Sequence, residues 1–504
     1  MVTTKPGMVS FGRRLSQLAS KHPDRTAILF VPVDGLERDV SWCELDRFSN
    51  QVARLLASHG VDHTSRVIIA LPNCPEHYVT AYAAWKLGAF ILPLRAALPQ
   101  HERDQIMTLF NPTVVIADWE NIQYQNLSLA GLRHAEALSD HPHPDRIPHP
   151  GKAIASGGST GRPKIIVDPL SWARVPGGPP YYDWLQPGQT QLVAGPLYHT
   201  SPFMWSHLGL FEAHRLVVLE HFDAARIVNL IERERINFSF LAPVMMRRLI
   251  LLPDIHERDL SSIEAIFQTA APCPSWLKQA WIDLIGGEKL YEGFGSTEAV
   301  GSVGIRGDQW LEHPGSVGLP KDCDLKILDD DFNEVSIGAV GEIFMRPHDT
   351  SCPTYEYIGS PPARTSPEGF VSVGDMGYVD AEGYLFLADR RVDLIISGGA
   401  NIYPAEVEAA LTEHPGIDDV VVIGVPDDDW GKRVHAIIAV PDGHDQLRVA
   451  DLDAYCRSRL AAYKVPKTYE FVSQLPRNEA GKIRRSALVA ERGHGQTEGI
   501  LHIH

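Results

Sequence analysis

Apolar residues recur at helical spacing over residues 11–19, and this pattern predicts a first amphipathic helix. A short apolar run at 27–31 predicts a strand. Ser41-Trp42-Cys43-Glu44 reads as a capping box with Ser41 as the N-cap. The helix it opens gathers Leu45, Phe48, Val52, Leu55 and Leu56 on one face. Residues 66–71 predict another strand, which Pro72-Asn73 ends. The most apolar stretch, 78–94, contains Lys86 and Gly88, so it reads as a buried helix followed by a strand and not as a membrane span. The alternation continues with strands at 192–194 and 216–219, a helix at 224–233, and strands at 263–269 and 289–291. Such strand–helix alternation predicts an α/β fold.

The texture then changes twice. From 315 to 380 glycines are frequent and helical periodicity is absent, which predicts a small β region. Beyond Arg390, residues 404–408 open a helix, 418–425 and 435–440 read as strands, and 452–460 reads as a helix. This is a compact α+β unit large enough to fold alone. The boundary is expected at 389–392. The tail from Arg492 onward, with its Gly-His-Gly and His-Ile-His, reads as a disordered terminus, and the His- and Pro-rich stretch 141–150 as a loop.

Composition narrows the function classes. A chain of 504 residues calls for more than one core. The formal charge of −17 argues against non-specific binding to nucleic acid or to anionic membrane surfaces. The 6 cysteines form no Cys-x-x-Cys pair, so neither a zinc site nor a disulfide framework is expected, and a cytoplasmic location fits best. No apolar core of a signal peptide follows the charges at Lys5, Arg13 and Arg14.

Ser156-Gly157-Gly158-Ser159-Thr160-Gly161-Arg162-Pro163-Lys164 carries the most chemistry. Its glycines let backbone N–H groups converge, and its hydroxyls and lysine add donors suited to a polyphosphate. Gly161 is followed by Arg-Pro-Lys, so this is not a Walker A loop. Pro163 disfavours a helix, and the flanking 153–155 and 165–167 favour strands. A hairpin with a nucleotide-binding tip is expected; a plain Gly/Ser surface turn is the alternative.

That segment resembles the phosphate loop of the adenylate-forming superfamily, which includes acyl-CoA synthetases, peptide-synthetase adenylation domains and luciferases. Four more segments match in the family's order. They are Phe294-Gly295-Ser296-Thr297-Glu298, Gly374-Asp375-Met376-Gly377-Tyr378, the stretch from Asp389-Arg390 through Gly398-Gly399 to Glu408, and Leu475-Pro476-Arg477-Asn478 with Gly481-Lys482-Ile483. The similarity runs from about Phe11 to about Leu488.

The resemblance implies a large N-terminal adenylation domain of layered α/β subdomains plus a small β region at 1–388. A hinge at 389–392 and a small mobile α+β domain at 393–504 complete the expected architecture. It implies ATP, Mg²⁺ and CoA as cofactors, with ATP activating a carboxylic acid as an acyl-adenylate. Ser156, Gly157, Gly158, Ser159, Thr160, Gly161 and Lys164 would hold the phosphates. Glu298 would bind Mg²⁺, and Thr297 would contact the α-phosphate. Phe294 would stack on adenine, with Ala270, Ala271, Pro272, Glu292, Gly293, Gly295, Ser296 and Phe386 completing the nucleotide pocket. Asp375 and Arg390 would hold the ribose. Lys482, Thr160, Glu298 and His199 carry the expected catalytic roles, and Gly398 and Gly399 line the thiol path. His199, Phe203, Met204, Trp205, His207 and Thr269 would line the acid pocket. Plainer readings stand beside these: a helix N-terminal acid for Glu298, a turn residue for Asp375, a surface cation for Arg390, a solvated lysine for Lys482. His199 reads equally as a core histidine, and 203–207 as an apolar helix face.

Departures from the family pattern bear on detail. Gly157 stands where serine is usual, Ile165 where glycine is usual, and Thr269-Ala270-Ala271-Pro272 where Gly-Gly-Ala-Pro is usual. Val392 stands at a hinge position that is usually Asp or Lys. The main expectation is an acid–CoA ligase acting on a cyclic or aromatic acid. Transfer to a carrier-protein thiol, adenylation of nitrite to diazotise an aromatic amine, and a non-catalytic nucleotide-binding regulator are the alternatives. The expected partners are the small acid and CoA or a carrier protein, with homodimerisation a further expectation and no nucleic acid or integral membrane contact.

Overall fold

The computed structural model describes residues 7–157, 163–177, 185–390, 393–397, 400–427, 430–440, 447–478, 481–492 and 501–502, and of 157, 389, 390, 401, 501 and 502 the backbone only. Val392, Gly158, Ser159, Thr160, Gly161, Gly398 and Gly399, all named above, lie outside the described residues, as does the Arg390 side chain. The chain divides into two compact units. One comprises Met1–Ala270, Trp281–Val300 and Asp349–Pro362; the other comprises Ala271–Ala280, Gly301–His348 and Ala363–His504.

The first unit holds two parallel-rich sheets. One is seven-stranded and runs Glu356–Ile358, Pro163–Asp168, Lys152–Gly157, Phe90–Pro93, Arg66–Ala70, Val114–Ala117, Gln125–Leu127. The other runs Leu290–Gly295, Ala265–Gln268, Phe238–Leu241, Thr190–Val193, Arg215–Leu219, Thr26–Val31, with Arg38–Ser41 antiparallel at its edge. Helices Phe11–Lys21, Trp42–Ser58, Pro75–Leu87 and Thr200–Phe211 contribute to one apolar core with strands of both sheets. The capping box at Ser41 is present, with the Ser41 hydroxyl accepting from Glu44 N–H and Glu44 accepting from Ser41 N–H.

The helix Pro75–Leu87 ends where Gly88 takes φ 83°, a left-handed cap that other residues adopt at a cost. Its lysine is not a surface interruption. Lys86 is buried, and its ammonium donates to Asp46 Oδ1 at 2.7 Å, Ser49 Oγ at 2.7 Å and Asn50 Oδ1 at 2.8 Å. Burial pulls this amine down to about 8 against the opposing pull of Asp46. A buried cation is tolerable only with such compensation.

The hairpin expected around the glycine-rich loop is present. Lys152–Gly157 pairs antiparallel with Pro163–Asp168, in a register that sets Ser156 opposite Lys164 and Gly157 opposite Pro163. One expectation needs correcting. The small β region is not continuous from 315 to 380, because Glu356–Ile358 pairs with Pro163–Asp168 and belongs to the first unit. Tyr355 and Tyr357 alternate on one face there, as a strand requires.

In the second unit, Ser302–Arg306, Ser316–Pro320, Cys323–Leu328, Gly341–Pro347, Asp375–Val379 and Leu385–Arg390 form antiparallel pairs. Its C-terminal part has Asp419–Asp427, Gly431–Ala439, Thr468–Val472 and Leu501–His502 in a four-stranded sheet. Helices Pro404–Thr412 and Val449–Arg457 supply its core with Val407, Leu411, Leu452 and Cys456. The expectation of a disordered tail from Arg492 needs amending at two points. Arg492 closes the helix Arg485–Arg492 and bonds Glu470 at 2.6 Å, and Leu501–His502 pairs with Thr468 and Tyr469. Among the described residues, no helix is long and apolar enough to cross a membrane.

Candidate active site

Lys164 and Glu298 meet inside the first unit. Lys164 stands on the hairpin's second strand, and Glu298 follows the strand Leu290–Gly295 in a tight turn. Lys164 Nζ lies 3.0 Å from Glu298 Oε1. Tyr357 completes the cluster, with its hydroxyl 2.6 Å from the same Oε1 and 3.0 Å from Nζ. The Lys164 ammonium also sits 4.2 Å from the Tyr357 ring centroid, within cation–π range. Glu298 is only 5% exposed. Burial works to raise its carboxyl, yet the Tyr357 hydrogen bond and the Lys164 charge outweigh it and hold the group below the usual carboxylate range. Burial, then the bond to Glu298, pushes the Tyr357 phenol up, so it stays protonated and donates.

Sequence reasoning missed Tyr357. The available signal was the aromatic alternation at 355 and 357 in a stretch without helical period, but its pairing partner lies almost two hundred residues away in the chain, which no local pattern encodes.

Around this trio, strand Leu290–Gly295 carries Glu292, buried, and Phe294, half-buried. Gly293 is there for space: an added Cβ would fall 2.5 Å from Phe267 Cζ. In the turn, Thr297 Oγ1 and Thr200 Oγ1 are 3.0 Å apart. The Ser296 hydroxyl is buried with no hydrogen-bond partner among the described residues. His199 is the N-cap residue of helix Thr200–Phe211. Along that helix Met204 is half-buried, whereas Phe203, Trp205 and His207 are fully enclosed. Phe203 lies tilted against His207 at 4.1 Å between centroids and meets Trp85 and Trp172, while Trp205 meets Phe267 at 5.4 Å. Burial pushes His207 down to about 3, so it is a neutral imidazole. Thr269 is half-buried and Ala270 exposed, and Ala270 holds φ 81°, a left-handed value that explains why glycine suits this position better.

The second unit carries the other residues. Ala271 and Pro272 begin it. Asp375 opens a strand in which it pairs in register with Arg390, so the backbone brings these two residues together. Phe386 stacks on Tyr378 with centroids 4.9 Å apart and planes 2° from parallel. Lys482 lies on a short turn with its side chain exposed. Its N–H donates to Asn478 Oδ1 at 2.8 Å, and its carbonyl accepts from Asn478 N–H at 2.9 Å. Gly481, at φ 74°, makes the bend, and Arg477 braces it through the Gly481 carbonyl and Asp419.

Magnesium fits the donor set of the first unit. Among the described residues, no group of three or more His, Cys, Asp or Glu side chains could enclose a metal ion. Glu298 is a single buried carboxylate beside Lys164, and Mg²⁺ is commonly held by one or two carboxylates plus phosphate oxygens and water.

Comparison with known proteins bears on both ends of the chain. A family model described as AMP-binding enzyme matches residues 15–351, and one described as AMP-binding enzyme C-terminal domain matches 406–482. A feruloyl-CoA synthase from an Amycolatopsis species is 32% identical over 88% of this chain and 92% of its own. An indoleacetate–CoA ligase from Aromatoleum aromaticum is 29% identical over 94% of this chain and 96% of its own. The structure of o-succinylbenzoate CoA synthetase from Bacillus subtilis with its acyl-adenylate superposes with a TM-score of 0.81, at 26% identity, over 98% of this chain and 100% of that one. The same enzyme with ATP and magnesium ion gives 0.78 at 26% identity, over 94% and 98%.

Proposed function

This chain belongs to the AMP-binding enzyme family, and we propose that it is an ATP-dependent acid–CoA ligase whose acid is cyclic or aromatic. It activates the acid as an acyl-adenylate with release of pyrophosphate and then transfers the acyl group to the thiol of CoA. The observation that carries the reading is the Lys164–Glu298–Tyr357 cluster beside the glycine-rich hairpin. The aromatic acid is supported by the relatives named for ferulate and indoleacetate.

In the first step a carboxylate oxygen bonds to the α-phosphorus of ATP as the bond to pyrophosphate breaks. Charge builds on the transferring phosphorus and on the leaving group, so fixed cations and N–H donors lower the barrier. Lys164 is placed to hold the β- and γ-phosphates and then pyrophosphate. Magnesium, when bound, would neutralise phosphate charge, and Glu298 would hold it. Thr297 and the buried Ser296 hydroxyl are candidate donors to phosphate oxygens. Asp375 and Arg390 are the proposed ribose contacts, and Phe294, Phe386 and Ala270-Ala271-Pro272 the proposed adenine surround. Lys482 is the proposed cation for the reacting carboxylate and α-phosphate. Its loss should lower turnover more than binding, because its charge is needed near the transition state. The division at 389–392 belongs to the same reading, and the gap between the two family matches, 351 to 406, supports it.

The test is pyrophosphate release over a panel of aryl, cyclic and straight-chain acids, with and without CoA, and with nitrite plus an aminoaromatic acid. Release with an aryl acid followed by acyl-CoA formation is expected. Release without transfer to CoA would point to a carrier-protein thiol, release only with nitrite to diazotisation, and no release with any acid would overturn the reading.

A further inference from the structure

Lys164 and Tyr357 both bond one carboxylate oxygen. Glu298 Oε1 receives Nζ at 3.0 Å and the phenol at 2.6 Å, and Nζ and the phenol are themselves 3.0 Å apart. A tyrosine hydroxyl has a single proton, so Tyr357 donates it to Glu298 and accepts from Lys164. Strand register explains the placement. Tyr357 pairs with Ile166, which shares a face with Lys164 two residues earlier. The side chain of Glu298 is 6% exposed against 23% for Lys164, so the carboxylate in particular has no bulk water as a ready substitute partner.

We infer that this trio is a charge latch that ATP and a divalent cation open together, with Tyr357 as the positioning residue that keeps Glu298 in place after Lys164 leaves it. The inference rests on the nucleotide-binding reading above. If a triphosphate draws Lys164 away alone, a buried carboxylate is left facing anionic oxygens with only the phenol to compensate it. If a cation takes Oε1 alone, Lys164 is left without its counter-charge. When both arrive, each newly freed group gains a partner of opposite charge. The two ligands are therefore coupled through one ion pair, and the coupling is reciprocal.

Calorimetric titration of a non-hydrolysable ATP analogue, with Mg²⁺ and with a chelator, reads this coupling in the wild type, Glu298→Gln and Tyr357→Phe. Glu298→Gln removes the charge that detains Lys164. It should bind the magnesium-free analogue roughly tenfold more tightly than the wild type and gain little more from Mg²⁺. Tyr357→Phe keeps the ring and removes the donor. It should bind the magnesium-free analogue roughly tenfold more weakly and lose much less with Mg²⁺, so its magnesium enhancement grows. Opposite movement of the enhancement in the two variants is the expected result, and a merely structural role for Tyr357 would weaken both titrations alike. Glu298→Gln binding the magnesium-free analogue no more tightly than the wild type overturns the latch, and this decides the matter even if Tyr357→Phe does not fold. A wild type that binds no analogue under either condition overturns the nucleotide-binding reading itself.

Discussion

The two lysines at the heart of the proposed reaction sit in contrasting surroundings. Lys164 is on a strand paired on both sides, its ammonium engaged by a buried carboxylate and a phenol. Lys482 is on a turn tied through its backbone to Asn478, and its side chain is exposed. The first is held in place before any substrate arrives and must be released from a partner. The second stands exposed on a short turn, and its ammonium acts only once it reaches the reacting carboxylate. A group with fixed geometry suits ligand binding. A group brought to the centre only at the reacting step suits stabilisation of a transient charge.

Removing each lysine is the strongest way to break this contrast. Lys482→Ala should lower adenylation by about two to three orders of magnitude, in line with the loss of one donor at a developing charge, with little change in KM for ATP. Thiolysis of a supplied acyl-adenylate should survive, measured as acyl-CoA formed from adenylate and CoA. Equal loss of both half-reactions would contradict the assigned role. Lys164→Ala should raise KM for ATP by about tenfold or more as well as lower kcat, since its contact exists in the ground state too. If the two variants show the same split between kcat and KM, the contrast has no functional content.

Most of the architecture was legible because its signals are local. The Ser41 capping box, the apolar face at Leu45, Val52 and Leu56, and the β-branched run at 165–167 each fix an element within a few residues. Pro163 disfavoured a P-loop helix, and the strand pairing shows the hairpin. Three features were not legible. Glu356–Ile358 changes unit because its hydrogen-bond partner is remote in sequence. Lys86 looked like an interruption of an apolar segment, whereas Asp46, Ser49 and Asn50 on another helix compensate it. Tyr357 was invisible because a tyrosine in a strand has no motif, and only its position beside Lys164 and Glu298 gives it a role.

Acid titration sharpens the contrast by a different route. The Glu298 carboxyl is depressed in the folded protein, so its contribution to stability is fully present above the unfolded value near 4.5 and is lost as pH falls through the lower folded value. Between roughly pH 5 and pH 3 the melting temperature of the wild type should fall more steeply than that of Glu298→Gln. An equal slope in the two proteins would mean that the trio adds nothing to folding. Lys482→Ala, which leaves Lys164, Glu298 and Tyr357 intact, should leave the slope unchanged.

The smallest expected effects concern two left-handed residues, one in each region. Ala270 holds φ 81° where glycine would be unstrained, and Gly481 holds φ 74° at the bend before Lys482. A Cβ in the left-handed region costs roughly 1–2 kcal/mol, offset in part because glycine gives the unfolded chain more freedom. Ala270→Gly should therefore change stability by no more than about +1 kcal/mol, and Gly481→Ala by about −1 kcal/mol. Chemical denaturation measures both. The kinetic consequences should diverge further than the stabilities do. Ala270→Gly relaxes one peptide unit in the bend that follows the strand Ala265–Gln268, so KM for ATP should stay within about twofold. Gly481→Ala strains the bend that aims Lys482, so kcat for adenylation should fall several-fold while KM for ATP holds. Should Gly481→Ala leave kcat intact, the turn does not aim the lysine, and the difference between the two regions reduces to exposure alone.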